Sequence, residues 1–142
     1  MKKIFVFVIA LFMVISLSAC GKKEQKLMCK QLIDGVNVSL NVDFKGNMIQ
    51  NMDFAYYSDL TEYKDDVIET LKKQDFCEVI KGSMPDYAEA FRDCKYTLEN
   101  KELNITAGFD VDKIAKTELD KMGSIEAGKE SLESSGYTCE IK

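Results

Sequence analysis

The sequence predicts a single α+β domain: an antiparallel sheet made of a three-strand meander, a second hairpin and a C-terminal strand, with three to four helices packed on one face. Three observations predict it. Val36, Val38, Leu40, Val42 and Phe44 alternate with Asn37, Ser39, Asn41 and Asp43, the period-two pattern of a strand with one buried and one wet face. Over Leu60 to Ile80 the spacing changes to that of a helix, and over Leu103 to Phe109 it returns to alternation.

The meander is built from Leu27 to Ile33, Val36 to Phe44 and Met48 to Tyr57. Asp34-Gly35 joins the first two strands, because Asp-Gly supplies the positive φ angles of a tight hairpin turn. Lys45-Gly46-Asn47 makes the second turn, and Met52, Phe54 and Tyr56 share one face of the third strand. The helix over Leu60 to Ile80 is expected to carry Leu60, Tyr63, Val67 and Leu71 as its apolar stripe, with Ser58 or Asp59 as its cap. Pro85 suits the start of a short helix running through Phe91. Cys94 to Leu98 and Leu103 to Phe109 flank the polar turn Glu99 to Glu102, with Leu103, Ile105, Ala107 and Phe109 facing inward. Two helices follow, over Val111 to Met122 and Ser124 to Ser134. Ser124 begins only an approximate capping box, since Ala127 stands where an acid would complete it. Gly136 ends the last helix, and Tyr137 to Ile141 closes the chain as a strand.

A length of 142 residues suits one domain, and 46% apolar with 30% charged residues is an ordinary globular composition. The net charge of −5 becomes −7 once Lys2 and Lys3 are removed with the leader described below. An acidic surface with Arg92 as its single arginine argues against nucleic acid as a partner, because phosphate binding draws on clustered Lys and Arg.

Met1-Lys2-Lys3 is a positive start to a 16-residue apolar run, Ile4 to Ala19. As a helix that run spans about 24 Å, short of the roughly 30 Å hydrocarbon core. Residues 1–19 are therefore expected to be a signal peptide and not a durable span. The run ends in Leu17-Ser18-Ala19-Cys20-Gly21, which has the order of a bacterial lipobox: an aliphatic residue, two small ones and the cysteine. Cleavage between Ala19 and Cys20 and a diacylglyceryl group on the Cys20 thiol are the expected processing. Two acyl chains hold a protein to a bilayer stably where one binds only reversibly. The protein is thus expected on the outer, extracytoplasmic face of the cell membrane, with the lipid bilayer as its partner through acylated Cys20. Residues 20–26 form the lipidated cysteine and a polar tether, reaching about 20 Å at full extension, and residues 27–142 form the domain.

Cys29, Cys77, Cys94 and Cys139 remain, an even number in a compartment where disulfides persist. Three pairings are open to sequence. Parity places Cys29 with Leu27 and Ile33, Cys94 with Tyr96 and Leu98, and Cys139 with Tyr137 and Ile141, on the core side of their strands. The preferred pairing is Cys77 with Cys94, closing a local loop, and Cys29 with Cys139, tying the first strand to the last. There is no C-x-x-C, and with no histidine a zinc site would need all four thiolates from distant positions.

The lack of histidine also removes the usual general base and the partner of serine or cysteine nucleophiles. No catalytic residues, metal ligands or cofactors are assigned. Glu62, Asp65, Asp66 and Glu69 fall on one side of the first helix and could bind calcium, but this spacing is more often a solvated face. Asp110-Val111-Asp112 fails as a calcium loop, because Ile114 and Lys121 occupy two of the ligand positions. Phe54, Tyr56 and Tyr57 could form a stacking platform, yet alternation sets Tyr57 on the opposite face.

With these elements in view the chain resembles the YehR-like family of small bacterial lipoproteins. The likeness rests on Leu17-Ser18-Ala19-Cys20-Gly21, on Gly35-Val36-Asn37-Val38-Ser39-Leu40 leading through Phe44-Lys45-Gly46-Asn47, and on Ser124-Ile125-Glu126-Ala127-Gly128-Lys129 running to Gly136-Tyr137. The resemblance implies an α+β domain whose activity is uncharacterised. The expectation is a non-enzymatic lipoprotein that binds a small ligand or an envelope protein through the exposed face or edge of its sheet; the alternative is a carboxylate- or metal-dependent envelope enzyme, and a redox protein is a third reading.

Overall fold

The computed structural model describes residues 23–142; the leader and the lipobox, with Ala19 and Cys20, lie outside the described residues. Six strands form one antiparallel sheet: β1 (Glu24–Ile33), β2 (Val36–Lys45), β3 (Met48–Asp59), β4 (Phe91–Glu99), β5 (Glu102–Phe109) and β6 (Thr138–Ile141). Their order across the sheet is β4-β5-β3-β2-β1-β6. The two hairpins therefore lie side by side through β3 and β5, and the short last strand adds to the far edge of β1.

Among the described residues four α-helices accompany the sheet: α1 (Asp65–Leu71), α2 (Phe76–Ser83), α3 (Lys116–Met122) and α4 (Ile125–Ser134). They and the loops around them lie over the face carrying Leu27, Cys29, Val42, Phe44, Met52, Phe109, Ile105 and Leu103, all buried. The other face displays polar side chains, among them Arg92, whose Nη2 donates to Asn51 Oδ1 at 2.6 Å, and Asn51, whose Nδ2 donates to Asp53 Oδ2 at 2.6 Å. The Arg92 guanidinium lies on Gly108, 2.9 Å from where a Cβ would sit, so a larger residue there would push it off the sheet.

The turns follow the sequence closely. Asp34 and Gly35 have φ of 49° and 80°, and the β4–β5 turn uses Asn100 and Lys101 at 51° and 63°. Both pairs of positive angles match the right-handed twist of the flanking strands. Ser124 caps α4 by accepting from the Ala127 N–H at 3.2 Å, despite the imperfect box. Gly136, at φ 95°, releases the chain into β6.

Four expectations are corrected. The tether is shorter than residues 20–26, because Glu24, Gln25 and Lys26 are already paired in β1 opposite Lys45, Phe44 and Asp43. The stretch Leu60 to Ile80 is not one helix. β3 continues to Asp59, Leu60 is buried by its backbone bond to the Lys101 carbonyl at 2.7 Å, and α1 starts only at Asp65. Ser58 is buried within β3 and Asp59 accepts from the Thr61 N–H, so neither caps a helix. A break at residues 72–75 then lets Asp75 cap α2 by accepting from the Glu78 N–H at 3.2 Å. The buried side chains are consequently Ile68 and Phe76, while Tyr63 and Val67 are exposed. Pro85 begins a single 3-10 turn through Tyr87, and Phe91 belongs to β4. Ile33 points to the covered side but is 50% exposed, because among the described residues nothing covers the tip of the first hairpin.

Both disulfides are present in the structure. Cys29 and Cys139, directly opposite in β1 and β6, are joined with Cα atoms 4.1 Å apart; Cys77 of α2 and Cys94 of β4 are joined with Cα atoms 5.9 Å apart. The first ties the edge strand to the sheet, and the second holds α2 down on β4.

Candidate functional site

The buried side chains fall into two groups. One collects Leu27, Val42, Phe44, Met52, Phe109 and Ile125; the other collects Leu60, Ile68, Phe76, Leu103 and Ile105. Between them the middle of the covered face is left partly open, and Val38, Leu40 and Phe54 remain only half-buried there. Leu40 sits directly opposite Phe54 across the β2–β3 ladder, with Met52 two residues before Phe54 on the same face. These side chains floor a cleft of about 420 Å³, within the size range of small-molecule sites.

The walls come from four other parts of the chain. Met84 and Tyr87 line one side, Glu118 and Lys121 project from α3, Gly128, Ser131 and Leu132 from α4, and Tyr137 from the approach to β6. A buried glycine at 128 lets α4 contribute backbone where a larger side chain would fill the space. The lining is largely aliphatic and aromatic, with one polar group of three residues. Tyr87 O–H donates to Glu118 Oε2 at 3.4 Å, and Lys121 Nζ lies 2.6 Å from Glu118 Oε1.

The charges of that trio are settled by their surroundings. Burial raises the Tyr87 hydroxyl above its ordinary value, with the Glu118 charge adding to it. The Lys121 hydrogen bond holds the Glu118 carboxyl below the usual range, and Glu118 in turn raises the Lys121 ammonium. At neutral pH the cleft therefore presents a neutral phenol, a carboxylate and an ammonium, each pushed further from a protonation change near pH 7.

The residues singled out from sequence are dispersed. Phe54 is in the cleft floor, Tyr56 packs beside the second buried group, and Tyr57 donates to Glu102 at 3.2 Å on the opposite face. Within the acidic cluster, Asp65 lies 2.7 Å from Lys101 Nζ and Glu69 lies 2.8 Å from Lys72 Nζ. Lys101 holds the Asp65 carboxyl below its ordinary value, chiefly through that hydrogen bond. Among the described residues no group of three or more His, Cys, Asp or Glu side chains is arranged to hold a metal. The disulfides lie apart from the cleft lining. Sequence reasoning missed Tyr87, Glu118, Lys121 and Ser131; the only signal for them was that Glu118 and Lys121 stand at i,i+3 on a helix, which is commonplace.

Comparison with known proteins found no matching family model and no matching curated protein. Among solved structures, the chain is similar to the NMR structure of a protein from Streptococcus pneumoniae TIGR4, at 13% identity and a TM-score of 0.48, covering 83% of this chain and 84% of that one. Among the described residues no helix is long and apolar enough to cross a membrane.

Proposed function

We propose that the chain is the precursor of a bacterial lipoprotein of the YehR-like kind, acylated at Cys20, whose body binds a small apolar molecule outside the cell. The observation that carries the ligand reading is the half-buried floor of Val38, Leu40 and Phe54. Three apolar side chains at mid-sheet, on the face that the helices otherwise cover, lie where a core would normally close. The Tyr87-Glu118-Lys121 group at one side suits a ligand with one polar end. Leu17-Ser18-Ala19-Cys20-Gly21 supports the placement, and the two disulfides are in keeping with an oxidising compartment.

The activity is binding and not catalysis. The polar groups of the cleft are committed to one another, Tyr87 O–H to Glu118 Oε2 at 3.4 Å and Lys121 Nζ 2.6 Å from Glu118 Oε1, an arrangement that suits holding a polar end of a ligand. The test is titration with the uncharged fluorophore N-phenyl-1-naphthylamine. A saturable rise in emission is expected for the parent, and its loss in Ser131→Trp, where an indole from the exposed side of α4 would fill the cleft. Equal emission from the two proteins would overturn the reading.

A further inference from the structure

The first described residues fix where a lipid on Cys20 must lie. The Gly46 N–H donates to the Lys23 carbonyl at 2.9 Å, and β1 pairs from Glu24 onward. Only Gly21 and Lys22 separate Cys20 from Lys23. At about 3.6 Å per residue, the two Cα atoms are therefore within about 11 Å of each other. The headgroup layer on each side of a bilayer is roughly 5 to 8 Å thick. With so short a lead, the body has no room to stand off the surface, and the end of the sheet that holds Lys23 meets it first.

That end has the chemistry of an interfacial contact. The β2–β3 turn carries Lys45 and Met48, and Met48 is 52% exposed. Lys26 and Lys142 exchange backbone hydrogen bonds of 2.8 and 2.9 Å beside it. Met48 also borders a hollow of mixed polarity, about 730 Å³, under the turn, lined in part by Ile49, Leu119, Lys116, Asp112 and Asp120. Carboxylates are present too: Asp43 is ion-paired to Lys26 at 3.4 Å and Glu140 to Lys142 at 3.7 Å, Glu24 stands opposite Lys45, and Asp112 and Asp120 line the hollow with Lys116, so this end is of mixed charge where the far end is acidic. The other end of the sheet is acidic on balance, with Asp34, Asp59, Asp65, Glu99 and Glu102 around its turns against Lys64 and Lys101, the latter paired to Asp65. β1 and β2 are ten residues each, so the two ends are about 33 Å apart, several times the roughly 8 Å Debye length at physiological salt. The acidic end leaves the local attraction intact and is itself repelled from an anionic surface.

We infer that the mature protein sits end-on against the outer leaflet, with the β2–β3 turn seated among anionic phospholipid headgroups and the acidic turns held outward. This rests on the acylation of Cys20 proposed above. Lys45 faces the phosphates, Lys26 lies beside it in its ion pair with Asp43, and Met48 enters the interface as its apolar contact.

The experiment is amine acetylation, read by mass spectrometry, of the full acylated protein on vesicles of phosphatidylcholine with and without phosphatidylglycerol. Labelling of Lys26, Lys45 and Lys142 is expected to fall several-fold when phosphatidylglycerol is present, with Lys64 and Lys73 at the far end unchanged. Lys45→Glu combined with Met48→Asp, both in an exposed turn, is expected to abolish that protection while the protein still floats with the vesicles. Floating with equal labelling at both ends, or protection that survives the double substitution, overturns the orientation alone. Failure of the parent to float at all overturns the acylation, and the orientation with it.

Discussion

Replacing both cysteines of one bridge by alanine should cost more for Cys29–Cys139 than for Cys77–Cys94, because the two bonds close loops of very different length. Their sequence separations are 110 and 17 residues. In the chain-entropy treatment, cross-links of those lengths withdraw about 4.8 and about 3.1 kcal/mol of unfolded-state freedom at 25 °C. The native environments widen the gap. Cys29 is 1% exposed, so its truncation also leaves a small void, whereas Cys77 and Cys94 are both half-buried. β6 is four residues long and, among the described residues, pairs only with β1, so the first bridge also secures an edge strand with few other holds. Domains of this size have a total stability of about 5 to 15 kcal/mol, so losing about 5 removes from about a third to all of it. The assay is urea unfolding of the parent and the two double-alanine proteins, with slopes compared to verify the same extent of unfolding. Equal losses, or a greater loss for the short loop, would refute the reasoning.

Two glycines should respond in opposite directions. Gly136→Ala is expected to cost about 1 to 2 kcal/mol, since φ is 95° and the new Cβ would lie 2.8 Å from Gln31 Nε2, whereas Gly82→Ala, inside α2 with open space around it, should gain about 0.5 kcal/mol; thermal melts of the pair check both. Ser124→Ala should remove the cap of α4 and cost about 1 kcal/mol by denaturant titration, with Ser124→Gly costing less. Stability should fall on acidification: Asp59, Asp65 and Glu118 have folded pKa values below their ordinary ones, so their contribution is present above the ordinary carboxylate range and lost as pH drops through it. Lys101→Ala should return Asp65 toward its ordinary value and flatten that acid limb, measured as melting temperature against pH. Millimolar calcium should leave the melting temperature unchanged, since Asp65 and Glu69 already face Lys101 and Lys72.

The sheet was legible in the sequence because its signal is local. Val36 to Phe44 alternates without interruption, Asp34-Gly35 can hardly be anything but a turn, and Leu103, Ile105, Ala107 and Phe109 mark a buried face on their own. The region from Leu60 to Ile80 was not, because Leu60, Tyr63, Val67 and Leu71 fall at helical spacing by coincidence. Leu60 is apolar for a different reason: it is the last side chain of the sheet end, fixed by a bond to Lys101, forty-one residues away. The break after Leu71 depends on Asp75 acting as a cap instead of a surface acid, a choice made by Phe76 turning onto Tyr96, with ring centroids 5.4 Å apart. β4 likewise changes register between Arg92 and Lys95, where Asp93 takes φ 53°, so Phe91 and Tyr96 share a face despite opposite parity. The cleft was invisible for a more basic reason: Leu40, Phe54, Tyr87, Glu118 and Ser131 lie on separate elements, and only the packing of helices over the sheet brings them together.

The claim on which placement and orientation both depend is that the chain begins, when mature, at a lipid-bearing Cys20. Intact mass spectrometry of the protein from membranes, without reduction, addresses it directly. The expected mass is that of residues 20–142 carrying a diacylglyceryl group and lacking four hydrogens for the Cys29–Cys139 and Cys77–Cys94 bonds. A chain still carrying residues 1–19, or an unmodified Cys20 on a protein that remains with the membrane, would contradict the account.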